Sequence, residues 1–261
     1  MIKQEDLSSR QSTVSILEGL YKVHRTPDIG LAYARSLFNL MNKQEDLSSQ
    51  QSTVSIIGEL YKEHKTPAIG LDYARSLCNL MIKQEDLSSR QSTVSILEGL
   101  YKVHRTPDIG LAYARSLFNL MNKQEDLSSQ QSTVSIIGEL YEEHETSDIG
   151  LVYAKSLCNL MVKQEDLSSR QSTVSTIEEL YKEHKTPAIG LDYARSLCNL
   201  MIKQEDLSSR QSTVSILEGL YKVHRTPDIG LAYARSLFNL MNKQEDLSSQ
   251  QSTVSIIGEL Y

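Results

Sequence analysis

The chain has no tryptophan and only three cysteines among its 261 residues. The cysteines are odd in number and widely separated in the sequence, which argues against a disulfide framework or a zinc site. They are Cys78, Cys158 and Cys198, and each occupies a position that holds phenylalanine in a closely similar segment, as at Phe38. Because a buried free cysteine behaves as a small hydrophobe, we expect the three thiols to pack in the core. Free thiols favour a reducing compartment, so the sequence predicts a cytoplasmic protein.

Long apolar runs and charge of one dominant sign are also missing. No apolar run approaches the ~18 residues of a membrane span, and the polar stretch after Met1 does not resemble a secretory signal. The formal net charge of -6 has the wrong sign for a protein that binds a phosphate backbone. The composition therefore predicts neither membrane insertion nor nucleic-acid binding.

The motifs of catalysis and cofactor binding are absent as well. The sequence has no glycine-rich phosphate loop, no cluster of metal ligands and no convergent nucleophile and base. Tyr21 and His24 share one side of a predicted helix at a spacing that permits a proton relay, but their recurrence at a packing seam favours a structural role. We predict a non-enzymatic protein that needs no cofactor and no metal.

What the chain does contain is a unit of 40 residues repeated from end to end, and residues 1–40, 81–120 and 201–240 are identical. A period between ~20 and ~50 residues indicates a solenoid, in which each unit buries its apolar face against its neighbours. Full units begin at residues 1, 41, 81, 121, 161 and 201, and a half unit covers 241–261. We therefore predict a single repeat array over residues 1–261.

Each unit encodes two helices. One begins at Thr26, a suitable N-cap that is followed by Pro27 at the first helical position, and runs to Met41. Its apolar residues, with Leu37 near their centre, cover an arc of roughly 200°, which is typical of a helix packed between several others. The other helix has a narrower apolar stripe and runs from Asp6 to His24, or from Asp46 in the next unit. Arg10 lies beside that stripe, where we expect its side chain to snorkel towards water.

Paired helices of this kind predict an all-α protein of about 13 helices, an αα-hairpin solenoid. The pattern T-P-x-I-G-L-x-Y-A-R-S-L-x-N-L, followed by K-Q-E-D-L and by a helix that ends L-Y-x-x-H, resembles the longer, bacterial class of tetratricopeptide-like (TPR-like) repeats. The resemblance implies a right-handed superhelix whose first helices line a concave surface, and a role in binding proteins or peptides. HEAT-type helix pairs have a similar period and are the structural alternative.

One strip of the first helix is polar, at Asp28, Ala32, Arg35, Ser36 and Asn39 with the residue that follows the helix. Stacked units align two of these positions into ladders that would face the groove, where a peptide backbone or a carboxylate would find bidentate hydrogen-bond donors. The basic ladder consists of Arg35, Arg75, Arg115, Lys155, Arg195 and Arg235, and the amide ladder of Asn39, Asn79, Asn119, Asn159, Asn199 and Asn239.

The alternative interpretation of this strip is a solvated, self-neutralised surface, and the charge pattern favours it. Each unit supplies one aspartate on the strip, either at the position of Asp28 or four residues later, as at Asp72 and Asp192. Asp72 precedes Arg75 by three residues, so the two can pair along the helix, at ~0.2–0.5 kcal/mol.

Neither end of the sequence carries a polar capping repeat, so we expect apolar surface to be open at both ends. This pattern favours a segment of a longer array, natural or engineered. It also gives an alternative to the interaction scaffold, namely a structural module that self-associates head to tail.

Overall fold

A computed structural model describes residues 2–244 and 247–259 of the chain. These residues form thirteen α-helices, and no strand occurs among them. The predicted all-α fold of paired helices is therefore confirmed.

The chain divides into two compact units, unit 1 over Met1–Glu125 and unit 2 over Asp126–Tyr261. Unit 1 contains α1 (Ile2–His24), α2 (Pro27–Met41), α3 (Leu47–His64), α4 (Pro67–Lys83), α5 (Leu87–His104) and α6 (Pro107–Met121). Unit 2 contains α7 (Leu127–His144), α8 (Ser147–Lys163), α9 (Leu167–His184), α10 (Pro187–Met201), α11 (Leu207–His224), α12 (Pro227–Met241) and α13 (Leu247–Glu259). Whether all of the repeats act as the single array expected from the sequence stays a prediction.

The helices begin where the sequence places their caps. The hydroxyl of Thr26 accepts a hydrogen bond from the Ile29 amide at 3.4 Å, with Pro27 next in the chain. A carboxylate oxygen of Asp46 accepts a hydrogen bond from the Ser49 amide at 2.7 Å. Hydrogen bonds to this carboxylate lower the pKa of Asp46 to about 2. Only α1 departs from expectation, since it begins at Ile2 and not at Asp6. No turn interrupts the chain before Asp6, whereas a turn after α2 precedes Asp46.

The even-numbered helices form the inner layer of each unit. In unit 1, α2 packs on α4 and α4 on α6, and in unit 2, α8 packs on α10 and α10 on α12. Within its own unit, each also packs against the odd-numbered helices next to it in the chain. This double contact buries Ala34, Leu37 and Met41 to 2% exposure or less, which confirms the broad apolar arc predicted for this helix.

Candidate functional site

The predicted basic ladder lies on the surface of the even-numbered helices. Arg35, Arg75 and Arg115 are all exposed in unit 1, and Lys155, Arg195 and Arg235 are all exposed in unit 2. The amide ladder contains both exposed and half-buried side chains. The exposed members are Asn39, Asn79 and Asn159, and the half-buried ones are Asn119, Asn199 and Asn239. Each unit thus carries three bases with asparagines beside them.

Two positions of the predicted polar strip lie in the interior instead of in solvent. Ser76 and Ser116 are fully buried, and the Ser76 hydroxyl donates to the backbone carbonyl of Asp72 at 2.7 Å. Asp72 and Ala112, on the same side of their helices, are also buried. The expectation of a solvated strip is wrong there because the neighbouring even-numbered helix covers these positions, and helical periodicity within one helix does not reveal that contact.

Two ion pairs of the basic ladder in unit 1 join neighbouring even-numbered helices. Nε of Arg35 lies 3.6 Å from Oδ2 of Asp72, and Nη2 of Arg75 lies 3.8 Å from Oδ1 of Asp108. In unit 2 the pair follows the helix, with Nη1 of Arg195 3.6 Å from Oδ1 of Asp192. The sequence predicted an along-helix pair between Asp72 and Arg75, and this geometry occurs at the equivalent residues of unit 2.

Asp72 and Asp192 are the buried acids of the site, with side chains 8% and 4% exposed. Each has one carboxylate oxygen, Oδ2, with no partner at hydrogen-bond distance, and in Asp72 this is the oxygen that faces Nε of Arg35 at 3.6 Å. Burial raises the pKa of Asp192 to about 6, although Lys155 and Arg195 act in the opposite direction. Burial also raises the pKa of Asp72, against the opposing charges of Arg35 and Arg75.

Each unit contains a cavity in its inner layer. The unit-1 cavity, about 210 Å³, lies among α2, α4 and α6, and the unit-2 cavity, about 380 Å³, lies among α8, α10 and α12. Basic and amide side chains of the ladders line both, together with an exposed aspartate and apolar residues. The unit-1 cavity is lined by Phe38, Arg75, Cys78, Asn79, Asp108, Leu111, Ala112 and Arg115. The unit-2 cavity is lined by Cys158, Asn159, Val162, Leu191, Arg195, Cys198, Asn199, Asp228, Leu231, Ala232 and Arg235.

The cysteines pack largely as predicted. Cys78 and Cys158 are buried, Cys198 is half-buried, and all three thiols are free. Burial raises the pKa of Cys158 to about 11 and that of Cys198 likewise to about 11, so both thiols are protonated at neutral pH. They therefore contribute shape to the cavity walls and no charge.

Buried arginines hold the helices on either side of the cavities. Arg90 is 6% exposed and donates from Nε to the Gln84 carbonyl and from Nη1 to the Asn119 carbonyl, both at 2.9 Å. These carbonyls lie at or near the C-terminal ends of α4 and α6, where a cation is favourable. The snorkelling expected for an arginine at the Arg10 position is therefore wrong at Arg90, because the guanidinium finds backbone acceptors on two neighbouring helices.

The recurring pair of a tyrosine and a histidine forms between successive 40-residue repeats and not within one helix. The Tyr21 hydroxyl lies 2.8 Å from Nε2 of His64, and the same pair recurs at Tyr61 and His104 with 2.9 Å. A Cβ at Gly30 would lie 2.8 Å from the His64 ring, so only glycine admits that ring without a shift. The sequence reasoning missed this contact, although the regular recurrence of Gly30 between the two ring positions was its signal.

The residues that the structure describes provide neither a metal-binding cluster nor a membrane-spanning helix. Residues 2–244 and 247–259 contain no group of three or more histidine, cysteine or acidic side chains placed to hold a metal ion. Within the same ranges, no helix combines the length and the hydropathy needed to cross a bilayer.

No protein-family model matches the sequence, and no curated protein is similar to it. Solved structures do resemble it in fold. The nuclear import adaptor Nro1, a hypoxic regulator of sterol synthesis, superimposes with a TM-score of 0.54 and 13% identity over 99% of this chain and 93% of that one. A second structure of Nro1 from S. pombe gives a TM-score of 0.50 at 13% identity, over 96% of this chain and 93% of that one. A thermophilic TPR protein of Thermus thermophilus gives 0.42 at 13% identity, over 82% of this chain and 100% of that one.

Similarity at this level shows the fold alone. The chain folds as a TPR-like array of helical pairs, which confirms the resemblance seen in its repeated sequence pattern.

Proposed function

We propose that this chain is a non-enzymatic scaffold that binds protein or peptide segments along its even-numbered helices. The observation that supports this most directly is the exposed row of bases beside a mixed polar and apolar cavity in each unit. A guanidinium such as Arg75 offers paired donors to a carboxylate or a backbone carbonyl, while Leu111 offers apolar surface. The nuclear import adaptor with the same fold is consistent with an adaptor role.

A peptide-array screen tests this function. We expect short acidic peptides to bind with micromolar affinity and to bind more weakly as salt is added, because exposed charges are screened. The triple variant Arg75→Ala, Arg115→Ala and Arg195→Ala should lose this binding while its circular dichroism stays unchanged. A peptide array that contains no salt-sensitive binder would contradict the proposal.

The other expectations from the sequence keep the status of proposals. We infer a cytoplasmic scaffold that binds no nucleic acid, from the free thiols and the net charge of -6. We also infer that residues 1–261 act as one repeat array.

Head-to-tail association of copies, the alternative expected from the sequence, stays a second proposal.

Sedimentation over a range of concentrations tests this association. We expect reversible self-association, with an apparent mass that rises with concentration. A monomer at all concentrations would contradict it and leave the peptide scaffold untouched.

A further inference from the structure

In both units, the place of the aspartate differs in the same way between the two inner helices that supply most of the cavity wall. In α4 and α10, alanine comes first and a buried aspartate follows four residues later, at Asp72 and Asp192. In α6 and α12 the order is reversed, so that an aspartate comes first and the buried position holds Ala112 or Ala232. The acid thus changes place between successive inner helices.

Where the buried position is aspartate, the side chain fills the space between neighbouring helices. Asp72 lies at the contact of α4 with α2, within 3.6 Å of Arg35, and Asp192 is as deeply buried in α10. Each carboxylate is more than nine-tenths buried, and each keeps one oxygen without a hydrogen-bond partner. A buried oxygen without a partner is costly, and the carboxylate that carries it occupies part of this interface.

Where the buried position is alanine, the helix contact stays open. The methyl group of Ala112 lines the unit-1 cavity and that of Ala232 the unit-2 cavity. The acid of the repeat is then Asp108, which is 65% exposed at the rim and lies 3.8 Å from Arg75. An exposed pair at this distance is weak, so an incoming carboxylate can compete for the guanidinium.

The cavity walls combine two kinds of surface. Arg75, Arg115 and Asn79 supply hydrogen-bond donors for a carboxylate, and Leu111 with Ala112 supplies apolar surface next to them. The equivalent residues of the unit-2 cavity are Arg195, Arg235, Asn199, Leu231 and Ala232. Among the residues that line the unit-1 cavity, two arginines face one aspartate, an excess of positive charge that complements an acidic partner, whereas in unit 2 Arg195 also pairs with Asp192.

We propose that the residue at the buried position decides where the inner surface binds, so that Ala112 and Ala232 each open one subsite and Asp72 and Asp192 close the contacts beside them. Each subsite takes a protein segment in which a carboxylate side chain stands next to an apolar one. This inference rests on the proposed peptide-binding function and gives it a position and a partner chemistry.

The probe for the experiment is the end-blocked peptide Gly-Gly-Glu-Leu-Gly-Gly, titrated calorimetrically into the full chain. We expect two equivalents per chain and at least tenfold weaker binding of the peptide with glutamine in place of glutamate. Ala112→Asp and Ala232→Asp should each remove one equivalent, because each places at the open position the side chain that closes the contact at Asp72. The double variant should bind none.

Ala32→Asp is the matched control, since Ala32 is exposed in α2. It introduces the same charge outside both cavities and should leave two equivalents. Ala112→Val, which copies the side chain that Val152 places at this position in α8, closes the subsite without adding charge and should also remove one equivalent. Circular dichroism verifies that each variant is folded.

Full binding by the double variant would overturn the proposal, and so would the absence of probe binding at millimolar concentration. If array peptides still bind in either case, the scaffold function stands and only the placement of its subsites is wrong. If neither the array nor the probe shows binding, both proposals fall.

Discussion

The cavities of the two units share most of their walls and still differ almost twofold in volume. Seven lining positions hold the same residue type in both, but Phe38 of the unit-1 cavity corresponds to Cys158 in unit 2. The residue after α2 also differs from its counterpart, which lies within the longer α8. Asn42 accepts a hydrogen bond from Asn79 at 2.9 Å, whereas Val162 is 62% exposed. Because the Cys158 thiol is smaller than the Phe38 ring and Val162 forms no such hydrogen bond, the cavity volume in unit 2 is about 380 Å³, compared with about 210 Å³ in unit 1.

This difference shows that identical helices do not make identical sites. The residues of α4 and α6 at the unit-1 cavity are repeated in α10 and α12, so the third inner helix, α2 or α8, determines the volume. A substitution in one repeat of a tandem array therefore changes the site that this repeat forms with the repeats after it.

The largest effect should come from the buried acid of unit 2. Because burial raises the pKa of Asp192 from 3.8 to about 6, the folded chain loses stability as pH rises from about 4 to about 6. At about 1.4 kcal/mol per pKa unit, the loss is on the order of 3 kcal/mol at pH 7. Asp192→Asn lacks this titration, so we expect it to be more stable than the parent chain by up to that amount at pH 7.

Urea unfolding at several pH values measures this effect, with Asp72→Asn as the unit-1 counterpart. Burial raises the pKa of Asp72 too, so its variant should show a gain of the same sign. A stability difference for Asp192→Asn that does not change between pH 4 and pH 7 would contradict the buried, charged state of this carboxylate.

A smaller effect should follow from loosening the helices beside the cavities. Arg90→Gln keeps the bond to Gln84, as Gln50 does with the Gln44 carbonyl at 2.8 Å, but it cannot reach the Asn119 carbonyl. Loss of a hydrogen bond from a charged donor should cost about 1.5–3 kcal/mol of unfolding free energy.

The equivalent bond in unit 2, from Nη1 of Arg210 to the Asn239 carbonyl, is longer, at 3.4 Å. Arg210→Gln should therefore cost less than Arg90→Gln in the same urea experiment. Equal costs, or none, would mean that these arginines do not tie the inner helices together.

The smallest effect is an exchange of selectivity between the two subsites. Phe38→Cys should enlarge the unit-1 cavity and Cys158→Phe should fill the unit-2 cavity. We expect a probe with phenylalanine after glutamate to gain about tenfold affinity for the first subsite and to lose about tenfold for the second, a change of about 1.4 kcal/mol each. Calorimetry on each variant, with the other subsite closed by Ala232→Asp or Ala112→Asp, separates the two. Unchanged affinities would show that these side chains do not shape the sites.

The sequence predicted the helices well because their signals are local. Thr26, Pro27 and Asp46 stand where a cap or a first helical residue belongs, and the apolar arc around Leu37 gives the buried face. What the sequence could not provide was the contact between repeats, since periodicity describes one helix at a time.

Apart from the start of α1, the errors lie at these contacts between repeats. Ser36 was expected on a solvated strip, but its counterparts are fully buried, and Arg10 was expected to snorkel, but its counterpart Arg90 bonds two carbonyls in the interior. Tyr21 was considered with His24 in its own helix, but it meets His64 of the next repeat. The basic ladder was found from the sequence, whereas the position of the two cavities required the packing of three helices.

The most direct test of the account is the location of a bound acidic peptide, measured by NMR on the full chain with labelled leucine methyl groups. We predict that the Glu-Leu probe shifts the methyl signals of the leucines that line the two cavities, Leu111 in unit 1 with Leu191 and Leu231 in unit 2, and leaves Leu71 of α4, which lines neither, unshifted. Shifts at Leu71, or a titration that moves neither Leu111 nor Leu231, would contradict the claim that alanine opens these sites and aspartate closes them.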